Sequence, residues 1–462
     1  MLFNSFPFIF VFLPVTLIVF ITLARKQQNN LALVWLLLSS LFFYGWWNPI
    51  YLILITSSIV INFLLAKLME KKSWAKHVLI FGVFFNLGLL GYFKYGKFFV
   101  DNINHLFNVS VTINELVLPL AISFFTFQQI AFLVDTYYAK TYEHGFLKYS
   151  LFVSFFPQLV AGPIVRHQEL INQFDSLVLR SDVYEKLAKG FVLFSIGLIK
   201  KVIIAGALAE VADPLFFKAN AEILSFSEAW LASLAYTFQI YFDFSGYSDM
   251  AIGLALMFGF NIPNNFDTPY RATSIRDFWR KWHMTLSRFL RDYLYIPLGG
   301  SRNGFIRQSQ AVIVTMLLGG LWHGASWNFV AWGGLHGLAL WLNQIINSRK
   351  IFIPNFFGWS MTFIFVLFCW VLFRAESFTA AMNIYQGLFA FNGLGEAGSF
   401  LKKVDEIALA AIVAIVGPSS FQWIHHGLKP KKWIAVVAAL LFIATLLELG
   451  DIGNNEFIYF QF

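Results

Sequence analysis

The sequence has little charge and almost no cysteine. Of its 462 residues, 13% are charged and 58% are hydrophobic, whereas a soluble globular chain carries about 25% charged residues. So little polar surface cannot cover a water-soluble globule. The composition therefore excludes a soluble enzyme, a disordered chain and a secreted disulfide scaffold, and predicts a protein whose solvent is the lipid bilayer. The single cysteine, Cys369, lies in an apolar run, so no disulfide can form within the chain.

The excess of basic over acidic residues is modest. Lys and Arg total 33 against 25 Asp and Glu, which gives a net charge of +8. In a membrane protein such an excess mainly sets the orientation of the loops. We therefore predict the lipid bilayer as a partner, and neither a nucleic-acid partner nor a metal site.

Apolar segments long enough to cross about 30 Å of hydrocarbon recur along the chain. They are 6–24, 31–47, 50–66, 78–96, 113–134, 187–209, 229–258, 356–373, 405–425 and 433–448. Proline and glycine interrupt two further regions, 147–165 and 309–347, at Pro157, Gly162, Pro163, Gly319, Gly320 and Gly324. Broken helices at membrane depth must be enclosed by protein or line a wet cavity, so we interpret both regions as re-entrant. With no internal repeat or linker, the prediction is one all-α integral domain over 1–462, ending in a tail at 451–462.

The distribution of basic residues predicts the orientation. The first segment is interpreted as a retained span because no basic region precedes it and no small-residue cleavage site follows. Arg25 and Lys26 come directly after it, which predicts an N-terminus outside the cell. The basic residues of the next loop on the same side are Lys67, Lys71, Lys72 and Lys76. The same rule applied to the last loop predicts that the C-terminus is also outside.

Two carboxylates, Asp243 and Asp249, lie in the otherwise apolar run around Tyr241–Asp249. A carboxylate in a spanning segment needs a partner or water. Six residues apart on a helix, these two point to different faces and are not expected to act as a paired acid and base. We expect each of them to pair with a Lys or Arg or to cap a helix end, and direct chemistry is the alternative.

The segment 273–292 has apolar residues at helical spacing on one side. They are Ile275, Phe278, Trp279, Trp282, Leu286, Phe289, Leu290 and Tyr293. Polar residues fall on the other side, namely Arg276, Arg280, His283, Ser287 and Arg291. With Ser274 as N-cap, the pattern predicts one amphipathic helix at the cytoplasmic interface. Its basic face suits either anionic lipid or the pyrophosphate of a nucleotide-bearing donor.

A histidine lies deep in the next apolar region. From Arg307, the last basic residue, the chain rises about 20–24 Å to His323 if it is helical. An ionisable side chain at that depth is a functional candidate, and histidine can take and return a proton near neutral pH. Asn328 could orient the imidazole or donate to an oxyanion. His336 is interpreted as packing, and a buried His323 satisfied by a carbonyl remains the alternative.

Several segments together resemble the membrane-bound O-acyltransferases (MBOAT). Asp277–His283 and Leu321–Phe329 resemble motifs of the bacterial branch that contains the alginate O-acetyltransferase membrane subunit and the peptidoglycan O-acetyltransferase. Further matching segments are Phe156–Pro163, Tyr241–Asp249, Tyr293–Gly300 and Phe457–Phe462. The resemblance covers essentially the whole chain. It implies a bundle of about eleven or more helices around a thin central region crossed by a tunnel.

The resemblance also implies roles for particular residues. The invariant family histidine maps onto His323 and the second motif histidine onto His283. The implied reaction moves an acetyl group from a cytoplasmic thioester, acetyl-CoA, to an extracytoplasmic acceptor, with no bound cofactor. His323 is expected to act as general base, while Trp322 and Trp327 exclude water. In related systems a tail tyrosine carries the acyl group transiently, and that role maps onto Tyr459.

The implied setting is a bacterial inner membrane and a partner on its outer side. Delivery to alginate, peptidoglycan or another exopolysaccharide is expected to need a periplasmic partner with a serine-esterase-like active site. Within the same fold, a D-alanyl, lipid or protein acyltransferase is the alternative, and the aromatic tail disfavours it. A polytopic transporter would also place Asp243, Asp249 and His323 in a membrane, but it should show two repeats.

Overall fold

The protein is described from a computed structural model that covers residues 1–70, 73–113, 117–138, 145–175, 183–395, 403–424 and 432–451. Within these ranges the chain forms helices joined by short connections, and no β-strand. In chain order the helices are α1 (Pro7–Arg25), α2 (Asn29–Gly45), α3 (Ile50–Leu68), α4 (Ala75–Phe107), α5 (Ile122–Tyr137), α6 (Phe146–Ser154), α7 (Phe156–Leu159), α8 (His167–Phe174), α9 (Val183–Lys218), α10 (Phe226–Met257), α11 (Ile275–Lys281), α12 (Met284–Leu290), α13 (Gly304–His323), α14 (Trp327–Ser348), α15 (Asn355–Arg374), α16 (Phe378–Leu388), α17 (Val404–Ile415), α18 (Ser420–Gln422) and α19 (Lys432–Asp451).

Six of the described helices are long and apolar enough to cross a membrane, namely α1, α3, α4, α9, α14 and α15. Helix α2 and the part Val436–Leu449 of α19 are apolar but shorter. Only helices satisfy their own backbone hydrogen bonds inside hydrocarbon, so long apolar helices without strands fit a polytopic membrane protein. The predicted all-α membrane fold is confirmed.

The chain groups into two compact units. The first comprises Met1–Phe194 and Met250–Pro263, and the second comprises Ser195–Asp249 and Asn264–Phe462. The chain passes from one unit to the other within α9 and again within α10. The prediction of one domain over 1–462 stays a prediction.

The first unit contains a buried pair of amides. Asn62 of α3 and Asn86 of α4 exchange side-chain hydrogen bonds of 3.3 and 2.7 Å. Gln129 of α5 donates to Ser58 of α3 at 2.9 Å. Such bonds hold helices together where apolar contacts alone give no net advantage over lipid.

The interrupted region 147–165 is confirmed. Helix α6 ends at Ser154, and α7 is a single turn that carries Pro157. The chain then runs without regular structure to Arg166, through Gly162 and Pro163. Proline lacks the N–H group that a continuing helix would need, so the break follows from the local sequence.

Two predicted spans were placed wrongly at one end. The segment 113–134 is helical only from Ile122, because the chain bends after Pro119 and Ala121 takes a left-handed conformation with φ 61°. The segment 405–425 is not one helix, because α17 ends at Ile415. Gly417 and Pro418 follow that end, and both disfavour helix continuation.

Candidate active site

His323 is the last residue of α13, where that helix turns into α14. Gly324 is extended, and Ser326 precedes the first residue of α14, so α13 and α14 form a tight helical hairpin. A Cβ on Gly320 would lie 2.2 Å from the carbonyl oxygen of Phe329, and one on Gly333 would lie 2.2 Å from that of Met316. The glycines therefore let the two backbones touch beside the histidine.

The predicted interruption of 309–347 is confirmed at Gly324 and is wrong at Gly319 and Gly320. Gly319 and Gly320 lie inside an unbroken helix, and the break comes at Gly324–Ser326. Gly320 makes a close backbone contact with α14, whereas a Cβ on Gly319 would meet only a side-chain atom of Leu290 at 3.2 Å. Neither glycine breaks the helix, because a helical glycine costs only about 1 kcal/mol relative to alanine. His323 is thereby placed at a helix end.

Aromatic rings enclose the His323 imidazole. Its ring centroid lies 5.0 Å from Trp322, 5.1 Å from Trp332 and 5.2 Å from Phe373. Only 5% of His323 is exposed. Rings packed this closely exclude bulk water, which strengthens any electrostatic interaction that the imidazole makes.

His283 lies in a different place from the one predicted. The expected continuous helix over 273–292 is wrong, because α11 ends at Lys281 and α12 begins at Met284. His283 takes a left-handed conformation between them, with φ 42° and ψ 53°. Its side chain is fully buried rather than on a basic face. The Ser274 N-cap is confirmed, since its hydroxyl accepts from the N–H of Asp277 at 3.2 Å.

The segment Asn265–Asp267 provides backbone hydrogen-bond partners where the helix is broken between α11 and α12. The N–H of Asp267 donates to the carbonyl of Lys281, and the N–H of Met284 donates to the carbonyl of Asn265, both at 2.9 Å. A buried helix end without such partners would cost several kcal/mol in an apolar environment. The segment around Asn265 thus fixes the turn that points His283 inward.

The side chain of Asn265 holds the His283 ring. Its Oδ1 atom lies 3.0 Å from His283 Nδ1 and accepts from the Thr285 hydroxyl at 2.9 Å. Its Nδ2 group donates to the Ser248 hydroxyl at 3.2 Å. Phe244 packs edge-on against the imidazole, with ring centroids 4.7 Å apart. Burial lowers the pKa of His283 to about 3, so this imidazole is neutral at physiological pH.

The Trp322 ring lies close to both histidines. Its ring centroid is 6.3 Å from that of His283 and 5.0 Å from that of His323. The structure therefore brings together the two imidazoles that the sequence singles out 40 positions apart in the chain. Two imidazoles that border the same aromatic ring can take part in one reaction centre.

Both carboxylates of α10 are ion-paired. Asp243 of α10 pairs with Lys201, and Asp249 pairs with Lys200 at 2.7 Å. The two lysines lie in a π-helical turn of α9, Lys200–Ile204. This confirms the expectation that each Asp pairs with a Lys or Arg. The ion pairs of Asp243 and Asp249 consequently hold α10 against α9. Helix α10 also contains Phe244, which packs against His283, and Ser248, which accepts from Asn265.

The basic residues predicted to bind a donor are at the surface. Arg276, Arg280 and Arg291 are exposed, and Ser287 is half-buried. Arg291 also pairs with Asp292 at 2.8 Å. These guanidinium groups remain accessible to an anionic ligand.

The remaining predicted site residues have other surroundings. Asn328 is buried, and its side chain donates to the carbonyl of Ala375 at 2.8 Å, which anchors the end of α15. Trp327, the first residue of α14, is 56% exposed, and Trp332 and Phe373 enclose His323 instead. His336 accepts from the indole N–H of Trp279 at 3.2 Å inside an aromatic cluster. Tyr459 and the rest of the tail from 452 lie outside the described residues.

Sequence reasoning missed the residues that orient His283. Asn265 and Thr285 carry no charge and match no recognised motif. The one local signal is the adjacent pair Asn264 and Asn265 after Pro263.

Comparison with known families decides the family of the chain. The model of MBOAT, the membrane-bound O-acyltransferase family, matches residues 139–383, more than half of the chain. The chain belongs to the membrane-bound O-acyltransferase family. This MBOAT protein is therefore a multi-pass membrane O-acyltransferase.

Individual MBOAT relatives extend the match to the full length. The peptidoglycan O-acetyltransferase of Helicobacter pylori is 42% identical, and the alignment covers 100% of this chain and 98% of that protein. The probable alginate O-acetylase AlgI of Pseudomonas aeruginosa is 40% identical over 85% of this chain and 75% of that protein. A teichoic acid D-alanyltransferase of Streptococcus thermophilus is 28% identical over 53% of this chain and 62% of that protein.

Proposed function

We propose that this protein transfers acetyl groups from a thioester donor towards hydroxyls of an extracytoplasmic polysaccharide. The observation that carries the proposal is the pair of buried imidazoles, His323 and His283, around Trp322 in an MBOAT chain. The acetyl group and the polysaccharide class follow from the two relatives named for peptidoglycan and alginate acetylation. The more distant D-alanyltransferase matches only about half of the chain, which favours acetyl over D-alanyl transfer.

The donor in this proposal is acetyl-CoA, which approaches from the cytoplasm. The exposed guanidinium groups of Arg276, Arg280 and Arg291 supply the charge that a pyrophosphate needs. The acetyl thioester then extends towards Trp322 and the two imidazoles. No resident cofactor takes part.

The chemical step is base-catalysed acyl transfer at His323. The imidazole takes the proton of the attacking hydroxyl as the oxygen bonds to the thioester carbonyl carbon. The tetrahedral intermediate collapses with cleavage of the carbon–sulfur bond, and the imidazolium returns the proton to the leaving thiolate. The rings of Trp322, Trp332 and Phe373 limit hydrolysis by keeping water away.

The first acceptor in this proposal is the phenol of Tyr459. Acetylation there would produce a covalent relay with ping-pong kinetics, from which a periplasmic serine-esterase-like partner moves the acetyl group to the polymer. The proposed setting is a bacterial inner membrane, with both termini on the outer side. Mass spectrometry of the protein from cells without the partner should find acetyl on Tyr459, and a Tyr459→Phe chain should lack it. An unmodified wild-type tail under these conditions would contradict the relay.

The proposed function as a whole is tested by the acetate content of the polymers. Deletion of the gene should remove ester-bound acetate from the isolated peptidoglycan or exopolysaccharide, and the wild-type gene should restore it. Release of acetate by mild alkali and its chromatographic quantification identify which polymer is the acceptor. Unchanged acetate in both polymers of the deletion strain would refute the proposal.

A further inference from the structure

We infer that Asn265 is a positioning residue that holds His283 in the Nδ1–H tautomer, so that Nε2 faces the reaction centre as a hydrogen-bond acceptor. The inference rests on the proposed function in so far as it gives His283 a part in acyl transfer. The tautomer itself follows from the hydrogen-bond geometry around Asn265. The inference adds Asn265, which lies 18 positions before His283 in the chain, to the candidate site.

The orientation of the Asn265 amide is fixed by its neighbours. The backbone N–H of Thr285 points at Oδ1 from 3.3 Å, and the Thr285 hydroxyl lies 2.9 Å from the same atom. A backbone N–H can only donate, so the atom it meets must be the amide oxygen and not the amide nitrogen. The amide nitrogen is directed the other way and donates to Ser248.

The amide oxygen in turn fixes the imidazole. Oδ1 lies 3.0 Å from Nδ1 of His283, and an amide oxygen has no hydrogen to donate. The hydrogen between these two atoms must therefore be on Nδ1. In a neutral imidazole the other nitrogen, Nε2, then carries a lone pair.

Nε2 is left for a ligand. It is buried and makes no hydrogen bond with any residue in the described part of the chain. The ring lies against Phe244 on one side and towards Trp322 on the other. A buried acceptor without a partner is unfavourable, and a bound donor group would remove that cost.

This arrangement decides which chemistry His283 can perform in the resting enzyme. A nitrogen with a lone pair accepts a hydrogen bond from a substrate hydroxyl. It cannot donate to the carbonyl oxygen of the thioester, so His283 is excluded as the oxyanion donor. The matching ligand group is an O–H or N–H group of the acceptor other than the attacking hydroxyl, because His323 takes the single hydrogen of that hydroxyl. Nε2 would hold this neighbouring group and so orient the acceptor beside Trp322.

The tautomer is tested by solid-state 15N NMR of histidine-labelled full-length protein in lipid at neutral pH. The His283 signals are assigned by their loss in a His283→Gln variant. The wild type should show a protonated Nδ1 and an unprotonated Nε2. Asn265→Leu, which removes the acceptor, should shift the population to Nε2–H, whereas Asn265→Asp, which keeps an acceptor oxygen, should retain Nδ1–H.

The kinetic effect is measured as acetyl transfer by the same variants. Asn265→Leu should lower kcat about tenfold or more while the KM for the donor changes little, because a misdirected imidazole costs rate rather than donor binding. Asn265→Asp should be closer to the wild type. Asn62→Leu is the matched control, since Asn62 is an equally buried amide of the first unit. It should reduce thermal stability and leave both kcat and the His283 signals unchanged.

The outcomes separate this inference from the proposed function. An Nε2–H tautomer in the wild type would overturn the inference even if acetyl transfer proceeds. Equal loss of kcat in Asn265→Leu and Asn62→Leu would also overturn the inference, since it would show that kcat falls whenever the protein is destabilised. Absence of acetyl transfer in the wild type would instead refute the proposed function and leave the tautomer result intact.

Discussion

Several buried side chains of the second unit carry a charge or a polar atom, and each of these needs a specific partner. Lys201 and Asp243 form an ion pair with only 4% and 6% of the side chains exposed. The favourable Coulomb energy of such a pair mainly offsets the cost of removing two charges from water. Loss of one partner is therefore far more damaging than loss of both.

Lys201→Met should destabilise the protein by about 3–5 kcal/mol, because it leaves Asp243 buried without its partner charge. The double variant Lys201→Met with Asp243→Leu should recover much of that loss. The measurement is the thermal unfolding midpoint of each variant in detergent. A double variant as unstable as the single one would contradict a simple pairing role.

His283 should make stability depend on pH. Burial lowers its pKa to about 3 in the folded protein from the ordinary histidine value of 6.5, so the unfolded chain binds more protons between these values. Stability therefore rises with pH across that window and falls as acid is added. By about pH 5 the expected loss is up to about 2 kcal/mol.

The variant His283→Gln should flatten this dependence between pH 7 and pH 5. The measurement compares unfolding midpoints of wild type and variant at both pH values. Parallel curves would show that His283 is not the group responsible.

Residue types could be predicted from the sequence, but their surroundings could not. An ionisable residue in a long apolar run is visible by composition, which identifies His323, Asp243 and Asp249. The orientation of His283 depends on a hydrogen bond to Asn265 and on a left-handed backbone at one position. Both are tertiary effects, and periodicity instead placed the histidine on the polar side of a helix.

At the level of whole elements, the α13–α14 hairpin sets the position of His323. Spans such as α3 and α15 follow from length and hydrophobicity, and their predicted bounds lie within two residues of the observed ones. The positions of helix breaks are harder to predict from the sequence, because a glycine in a helix can mark either a kink or a close contact with another helix. Gly320 and Gly333 turned out to be contacts, which only the packing of two helices reveals.

Gly333→Ala should separate α13 from α14, because its Cβ would lie 2.2 Å from the backbone oxygen of Met316. We expect a loss of both thermal stability and acetyl transfer, since His323 moves with the hairpin. Gly334→Ala is the matched control, as its nearest neighbour is a flexible side-chain atom of Leu317 at 3.4 Å. Equal activity of the two variants would contradict the role of the contact.

At the level of the whole molecule, the predicted orientation determines where the donor and the acceptor meet. The basic residues Arg25 and Lys26 predict that the loop after α1 lies in the cytoplasm and, counting the predicted spans from there, that the loop after α9 lies outside. The passage to His323 implied by the family resemblance stays a prediction, as does this orientation.

Cysteine labelling tests the orientation. The native Cys369 is buried, so it should not react with the labelling reagent. A membrane-impermeant maleimide applied to spheroplasts should label Ala221→Cys and spare Gln27→Cys until the cells are permeabilised. Both positions are exposed in the structure. The reverse pattern would show that the protein is inserted the other way round.

The central claim is that the imidazole of His323 performs the acyl transfer, and the most direct measurement is the rate of acetyl transfer from labelled acetyl-CoA by purified His323→Ala. The account predicts a fall of about 100-fold or more relative to wild type, with the fold intact by thermal unfolding. His77→Ala, at an exposed histidine of the first unit, should transfer at the wild-type rate. A His323→Ala protein that transfers acetyl as fast as His77→Ala would contradict the account.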